Sequence, residues 1–171
     1  MQGWVTALSL AVLSCGPGDA DPDDLPELAT CPIDDSPTFE LGAGERVYVP
    51  LRDGDQLEMT QGPQGGCHFW VSVRTKGFAE RRFEIAHRVL EYPSLVETPS
   101  RSRQRVRLSL VPGTLECEYT GYVAYLIEPW TLDGRELVLE VTVMDDLGRT
   151  STASRRIRAV GVDGTVCHAA S

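Results

Sequence analysis

Alternation of apolar and polar residues with a period of two runs through most of the chain beyond residue 46, and it restricts the fold more than any other feature. Leu137, Leu139, Val141 and Val143 interleave with Val138, Glu140, Thr142 and Met144. Successive side chains of a strand point to opposite faces, so such a run buries one face against a core. Shorter runs repeat the pattern: Val47, Val49 and Leu51; Leu57 and Met59; Phe69, Val71 and Val73; Phe83, Ile85 and His87, followed by Val89 and Leu90; and Val106, Leu108 and Leu110. Tyr119 to Ile127 is rich in β-branched and aromatic residues, and Thr150–Val160 reads as the return strand of the last run. Turn-forming groups separate them, among them Arg52-Asp53-Gly54-Asp55, Gly62 to Gly66, and Asp145-Asp146-Leu147-Gly148. No window shows helical periodicity with caps. Eight or nine strands, spaced about ten residues apart, predict an all-β, antiparallel β-sandwich.

The charge is unevenly placed. Of 25 acidic residues, eight lie in Met1–Glu40, which contains no Lys or Arg. The remainder carries 17 acids against 16 bases, so the net charge of −9 belongs mainly to the N-terminal stretch. A like-charged, Pro-containing segment repels itself and cannot bury a core, which predicts an extended spacer. Ahead of it, Trp4 to Ser14 is apolar and too short to span a bilayer, which takes about 20 residues. Val12-Leu13-Ser14-Cys15-Gly16 resembles the lipobox of bacterial lipoproteins. That resemblance implies a signal peptide at 1–14, a lipidated Cys15 with a tether at 15–37, and a folded domain at 38–171. It also implies an envelope location, with Gly16 after the cysteine favouring the outer membrane. Plain secretion and a buried N-terminal strand are the alternatives for the same run.

Without Cys15, four cysteines remain: Cys31, Cys67, Cys117 and Cys167. In an exported chain an even set predicts two disulfides, with three connectivities possible. Cys31–Cys167, flanking the first and last strands, is the favoured pair, with Cys67–Cys117 internal. No CxxC pair supports a zinc knuckle or a redox site.

The stretch from Glu136 to Ile157 resembles the closing hairpin of immunoglobulin-like domains of the PKD or fibronectin type III kind. Pro50-Leu51-Arg52-Asp53-Gly54-Asp55 through Gly62-Pro63-Gln64-Gly65-Gly66-Cys67-His68-Phe69-Trp70 is similar to a group of uncharacterised lipoproteins typical of myxobacteria, from whose pattern Cys67 departs. Neither resemblance brings catalytic or ligand residues with it, and sandwich domains host many functions.

Gly62–Trp70 is the most function-like motif. Its glycines leave main-chain N–H groups open, and His68 and Trp70 are placed to face a sugar or a metal; a tight hairpin is the plainer reading. His68, His87 and His168 show no paired metal-ligand spacing. Asp53 with Asp55, and Asp145 with Asp146, fit turn chemistry better than Ca²⁺ ligation. Arg101, Arg103, Arg105 and Arg107 recur every second residue and share one face if the strand at Val106–Leu110 extends back that far. Such a row can meet acidic envelope polysaccharide, or simply guard a sheet edge. Nucleic acid is not expected to bind a domain of near-zero net charge. No GxSxG elbow or acid/base pair stands out, so no enzyme activity and no cofactor are expected. The sequence thus predicts a non-enzymatic envelope lipoprotein, held to the membrane by its lipid, acting in binding or structure. A small-ligand or metal-binding module centred on Gly62–Trp70 is the second reading.

Overall fold

The computed structural model describes residues 30–63, 66–161 and 167. Ten strands form among them: β1 (Thr38–Ala43), β2 (Val49–Pro50), β3 (Asp55–Gln61), β4 (Cys67–Lys76), β5 (Phe83–Glu91), β6 (Glu97–Val106), β7 (Ser109–Leu110), β8 (Cys117–Leu126), β9 (Glu136–Met144) and β10 (Thr150–Gly161). A single 3-10 turn, Pro129–Thr131, is the only helical piece among the described residues. The fold is an all-β sandwich, as the alternation predicts. β6, β5, β9 and β10 make one layer; β1, β4 and β8 make the other, with the short β2 and β7 at its margins. Phe69, Val71 and Val73 of β4 join Leu137, Leu139, Val141 and Val143 of β9 in one core, each fully buried.

β3 links the layers. Asp55–Met59 runs parallel to Ile157–Gly161 of β10, while Met59–Gln61 pairs antiparallel with β4. The parallel pair departs from the wholly antiparallel arrangement expected. Parallel neighbours need a long connection, and here everything from β4 to β9 supplies it.

Two strand readings also change. Val47 and Val49 do not face the core: they are 70% and 54% exposed, while Tyr48 between them is buried. The Tyr48 ring packs on Gly42, where a Cβ would lie only 2.4 Å from it, and under the Arg74 guanidinium, 4.2 Å from its centroid. The strand expected at Val106–Leu110 lies instead at Glu97–Val106, and of the expected run only Ser109–Leu110 forms a further strand, β7. The sequence of β6 hides it, because the positions turned toward β8 hold hydroxyls: Ser100 Oγ accepts from the Ile127 N–H at 2.9 Å, and Ser102 Oγ donates to the Val123 carbonyl at 3.3 Å.

The disulfides join Cys31 to Cys117 and Cys67 to Cys167, with Cα–Cα distances of 5.9 and 6.0 Å. The favoured pairing is therefore exchanged. Register gives the reason: Cys117 lies opposite Thr75 at one end of the β4–β8 pair, and Cys67 opposite Leu126 at the other. About 26 Å of strand separates them at roughly 3.3 Å per residue, far beyond the reach of a disulfide.

The tether expected to reach residue 37 joins the sandwich earlier. Cys31 is buried and its N–H donates to Glu80 at 2.8 Å, and the Asp34 N–H donates to the Gly77 carbonyl at 3.0 Å. Cys15 and the expected signal segment lie outside the described residues.

Candidate functional site

Alternation along β4 sends Phe69, Val71 and Val73 into the core and His68, Trp70 and Arg74 to the opposite face. Antiparallel register sets His68 opposite Tyr125 and Trp70 opposite Val123 of β8, which forms a floor. Two turns wall it. On one side stands the β1–β2 hairpin, whose Gly44 N–H donates to the Trp70 carbonyl at 3.2 Å and whose Gly44 carbonyl accepts from the Gly121 N–H at 3.2 Å. Gly121 adopts φ +76° beside an irregularity in the β4–β8 register, and a Cβ there would sit 2.6 Å from the Glu45 carbonyl oxygen. Only glycine permits both that conformation and so close an approach, which brings Glu45 down beside Trp70. On the other side the β3–β4 turn closes through the Gly62 N–H and the Gly66 carbonyl, 2.7 Å apart. That bond occupies one of the main-chain donors the glycine-rich loop was expected to leave open.

A cleft of about 610 Å³ lies between these walls, with Thr60, Gln61 and Pro63 along one rim. That size is usual for small-molecule sites. His68 is 4% exposed, and neither ring nitrogen has a hydrogen-bond partner among the described residues. It stands edge-on to Trp70, with ring centroids 4.4 Å apart, and more loosely against Tyr125 at 6.2 Å. Burial lowers its pKa, and the Glu45 carboxylate pulls in the opposite sense. The imidazole is therefore neutral at pH 7 and keeps one donor and one acceptor unused. A buried polar group left without a partner costs about 1–3 kcal/mol. Trp70 is half-buried and Tyr125 is 55% exposed, so both present surface to the cleft.

The other described histidine is placed differently. His87, on the inner side of β5, is 5% exposed and well partnered. Its Nε2 lies 3.3 Å from the Tyr125 carbonyl, which only accepts, so that nitrogen carries the proton. Nδ1 is left as an acceptor, 2.9 Å from the Tyr122 hydroxyl and 3.1 Å from Ser102 Oγ. The Tyr122 oxygen also lies 3.0 Å from the Ser102 carbonyl, which competes with Nδ1 for the one hydroxyl proton. Burial pushes the His87 pKa down to about 4. A serine touching a histidine invites comparison with hydrolases. Here the outer histidine nitrogen is held by a main-chain carbonyl and not by a carboxylate, and the group ties β5, β6 and β8 together.

The arginine row does not join the cleft. Arg103 and Arg105 of β6 lie in the other layer and share the Glu84 carboxylate, at 3.2 and 3.8 Å; Arg107 pairs with Glu80 at 3.3 Å. The two candidate ligand-binding groups, His68 with Trp70 and the arginines Arg103, Arg105 and Arg107, therefore lie in different layers. The two aspartate pairs are turn elements. Asp53 accepts from the Arg156 N–H, and Asp55 from the Arg52 N–H. Burial would raise the Asp145 carboxyl, but hydrogen bonds from the Arg149 guanidinium and from the Ala79 and Arg149 amides hold it below the usual range. His168 lies outside the described residues.

Sequence reasoning found His68 and Trp70 but missed Glu45, Val123 and Tyr125. These come from distant segments, and only the β4–β8 register and the Gly121 irregularity bring them in. No known family model matches the chain, and no curated protein is similar to it.

Proposed function

We propose that this protein is a non-enzymatic, lipid-anchored module of the cell envelope that binds a small ligand in the cleft over His68. One observation carries the binding reading: a buried histidine whose two ring nitrogens are both unanswered among the described residues, at the base of an aromatic-lined cleft. Buried polar groups in native proteins nearly always have a partner, and an exception asks what the missing partner is. The envelope reading rests on the lipobox-like Val12–Cys15 and on disulfides, which persist in oxidising compartments. The immunoglobulin-like kinship draws support from the two-layer arrangement and the closing β9–β10 hairpin.

The geometry suits an anchored binder. Cys31 enters the sandwich at the Thr75–Cys117 end of the β4–β8 pair, and His68 lies at the other end, about 23 Å along the strand. A domain held through Cys15 would turn its cleft away from the anchor. The binding reading is tested by thermal shift of the protein against a small-metabolite and divalent-metal library, alongside His68→Phe. A hit that raises the melting temperature of the parent and not of the variant supports it; an unresponsive parent sinks it. The anchor is tested separately: palmitate labelling and membrane fractionation are lost in Cys15→Ser, and unchanged labelling would refute it.

A further inference from the structure

The lining of the cleft selects among ligand chemistries. Trp70 and Tyr125 offer aromatic surface from adjacent strands, which suits a flat ligand with an apolar face. Directly beneath, His68 offers one donor and one acceptor, and Thr60 and Gln61 add neutral polar groups at the rim. Adjacent hydroxyls on a saturated ring answer that pair, because each both donates and accepts. Charge narrows the choice further. Among the described lining residues Glu45 is the only carboxylate and there is no Lys or Arg, so a phosphate or carboxylate ligand would meet repulsion with no counter-charge. A quaternary ammonium would suit Glu45 and the rings but offers the imidazole no N–H, and choline adds a single hydroxyl against two ring nitrogens.

We infer that the cleft binds a neutral sugar ring, its C–H face against Trp70 and Tyr125 and adjacent hydroxyls on the His68 nitrogens. This deepens the binding reading above and rests on it. The imidazole nitrogens lie just under the cleft floor, so binding rotates the imidazole or the half-buried Trp70 ring to expose them. The second disulfide holds this arrangement in place, since Cys67 immediately precedes His68 and is bonded to Cys167.

Isothermal titration of the full mature protein with chitotetraose, cellotetraose and maltotetraose as neutral probes, and with choline and tetragalacturonate as charged ones, tests the inference. At least one neutral oligosaccharide binds saturably. Tyr125→Ala and Trp70→Ala each weaken it tenfold or more, and His68→Phe, which keeps a ring but removes the nitrogens, weakens it at least fivefold. Tyr125 is largely exposed, so its variant stays folded even if Trp70→Ala does not. Failure of all three neutral probes, or binding that survives every substitution, overturns the inference. Choline or tetragalacturonate bound through the same residues removes the sugar and leaves the binding reading standing; silence from all five probes and from the thermal-shift library removes both.

Discussion

His68 and His87 sit on strands of the same sandwich, almost equally buried, and they do opposite things. His87 has both nitrogens engaged, by a main-chain carbonyl on one side and the Tyr122 hydroxyl on the other. His68 has neither engaged among the described residues. Burial lowers the pKa of both, so the pKa direction alone does not separate them. The separation lies in what surrounds each ring. His87 is enclosed by groups from three strands and stabilises their packing, whereas His68 is enclosed by aromatic carbon and a turn, beside open space. Unused hydrogen-bonding capacity next to a cleft marks a binding group; used capacity between sheets marks a structural one.

The largest expected effect concerns the disulfides that bracket the two regions. Replacing Cys67 and Cys167 by serine lowers stability by about 2–5 kcal/mol in denaturant melts and weakens ligand binding in the cleft. Replacing Cys31 and Cys117 costs a similar amount of stability, yet a protein that still folds keeps its affinity, because that bridge lies at the far end of β4. Equal loss of affinity in both would erase the distinction between the two ends.

Acid titration comes next. The His87 pKa of about 4 lies below the unfolded value of about 6.5, so the folded state binds fewer protons between them. Its contribution is complete above pH 6.5 and is lost as pH falls toward 4, an effect on the order of 2–3 kcal/mol. His68 contributes with the same sign. Urea melts across this range read the slope, and His87→Gln flattens it more than His68→Phe does; the reverse order would contradict the assignment of His87 to the latch.

Smaller still are two single substitutions. Tyr122→Phe strips a hydroxyl from the His87 latch and costs about 1–3 kcal/mol, since it leaves buried partners unanswered. His68→Phe removes two unanswered nitrogens and is neutral or stabilising by up to about 1 kcal/mol. A destabilisation by His68→Phe matching that of Tyr122→Phe would mean that both histidines are structural.

Much of the architecture was legible because the inward positions of β9 and most of those of β4 and β5 are apolar, and burial there follows composition directly. β6 was illegible for the same physical reason turned around: its inward residues are Thr98, Ser100 and Ser102, which pair by hydrogen bonds and leave no hydrophobic alternation to read. At Val47–Val49 the alternation misled, because a cation-covered tyrosine packed better than either valine. The disulfide pairing depended on strand register, which four cysteines in a sequence do not encode. In the site, His68 and Trp70 were visible as neighbours in sequence. Their partner Tyr125 and the wall at Glu45 exist only through the pairing of β4 with β8 and the bare Cα of Gly121.

The contrast between the two histidines is tested most directly by ¹⁵N NMR of the imidazole nitrogens during titration with the neutral tetrasaccharides. The His68 resonances should move and saturate with the binding curve while those of His87 stay fixed in the Nε2–H form. Movement of His87 with His68 unchanged, or no change at either ring at concentrations where calorimetry detects binding, would contradict the account.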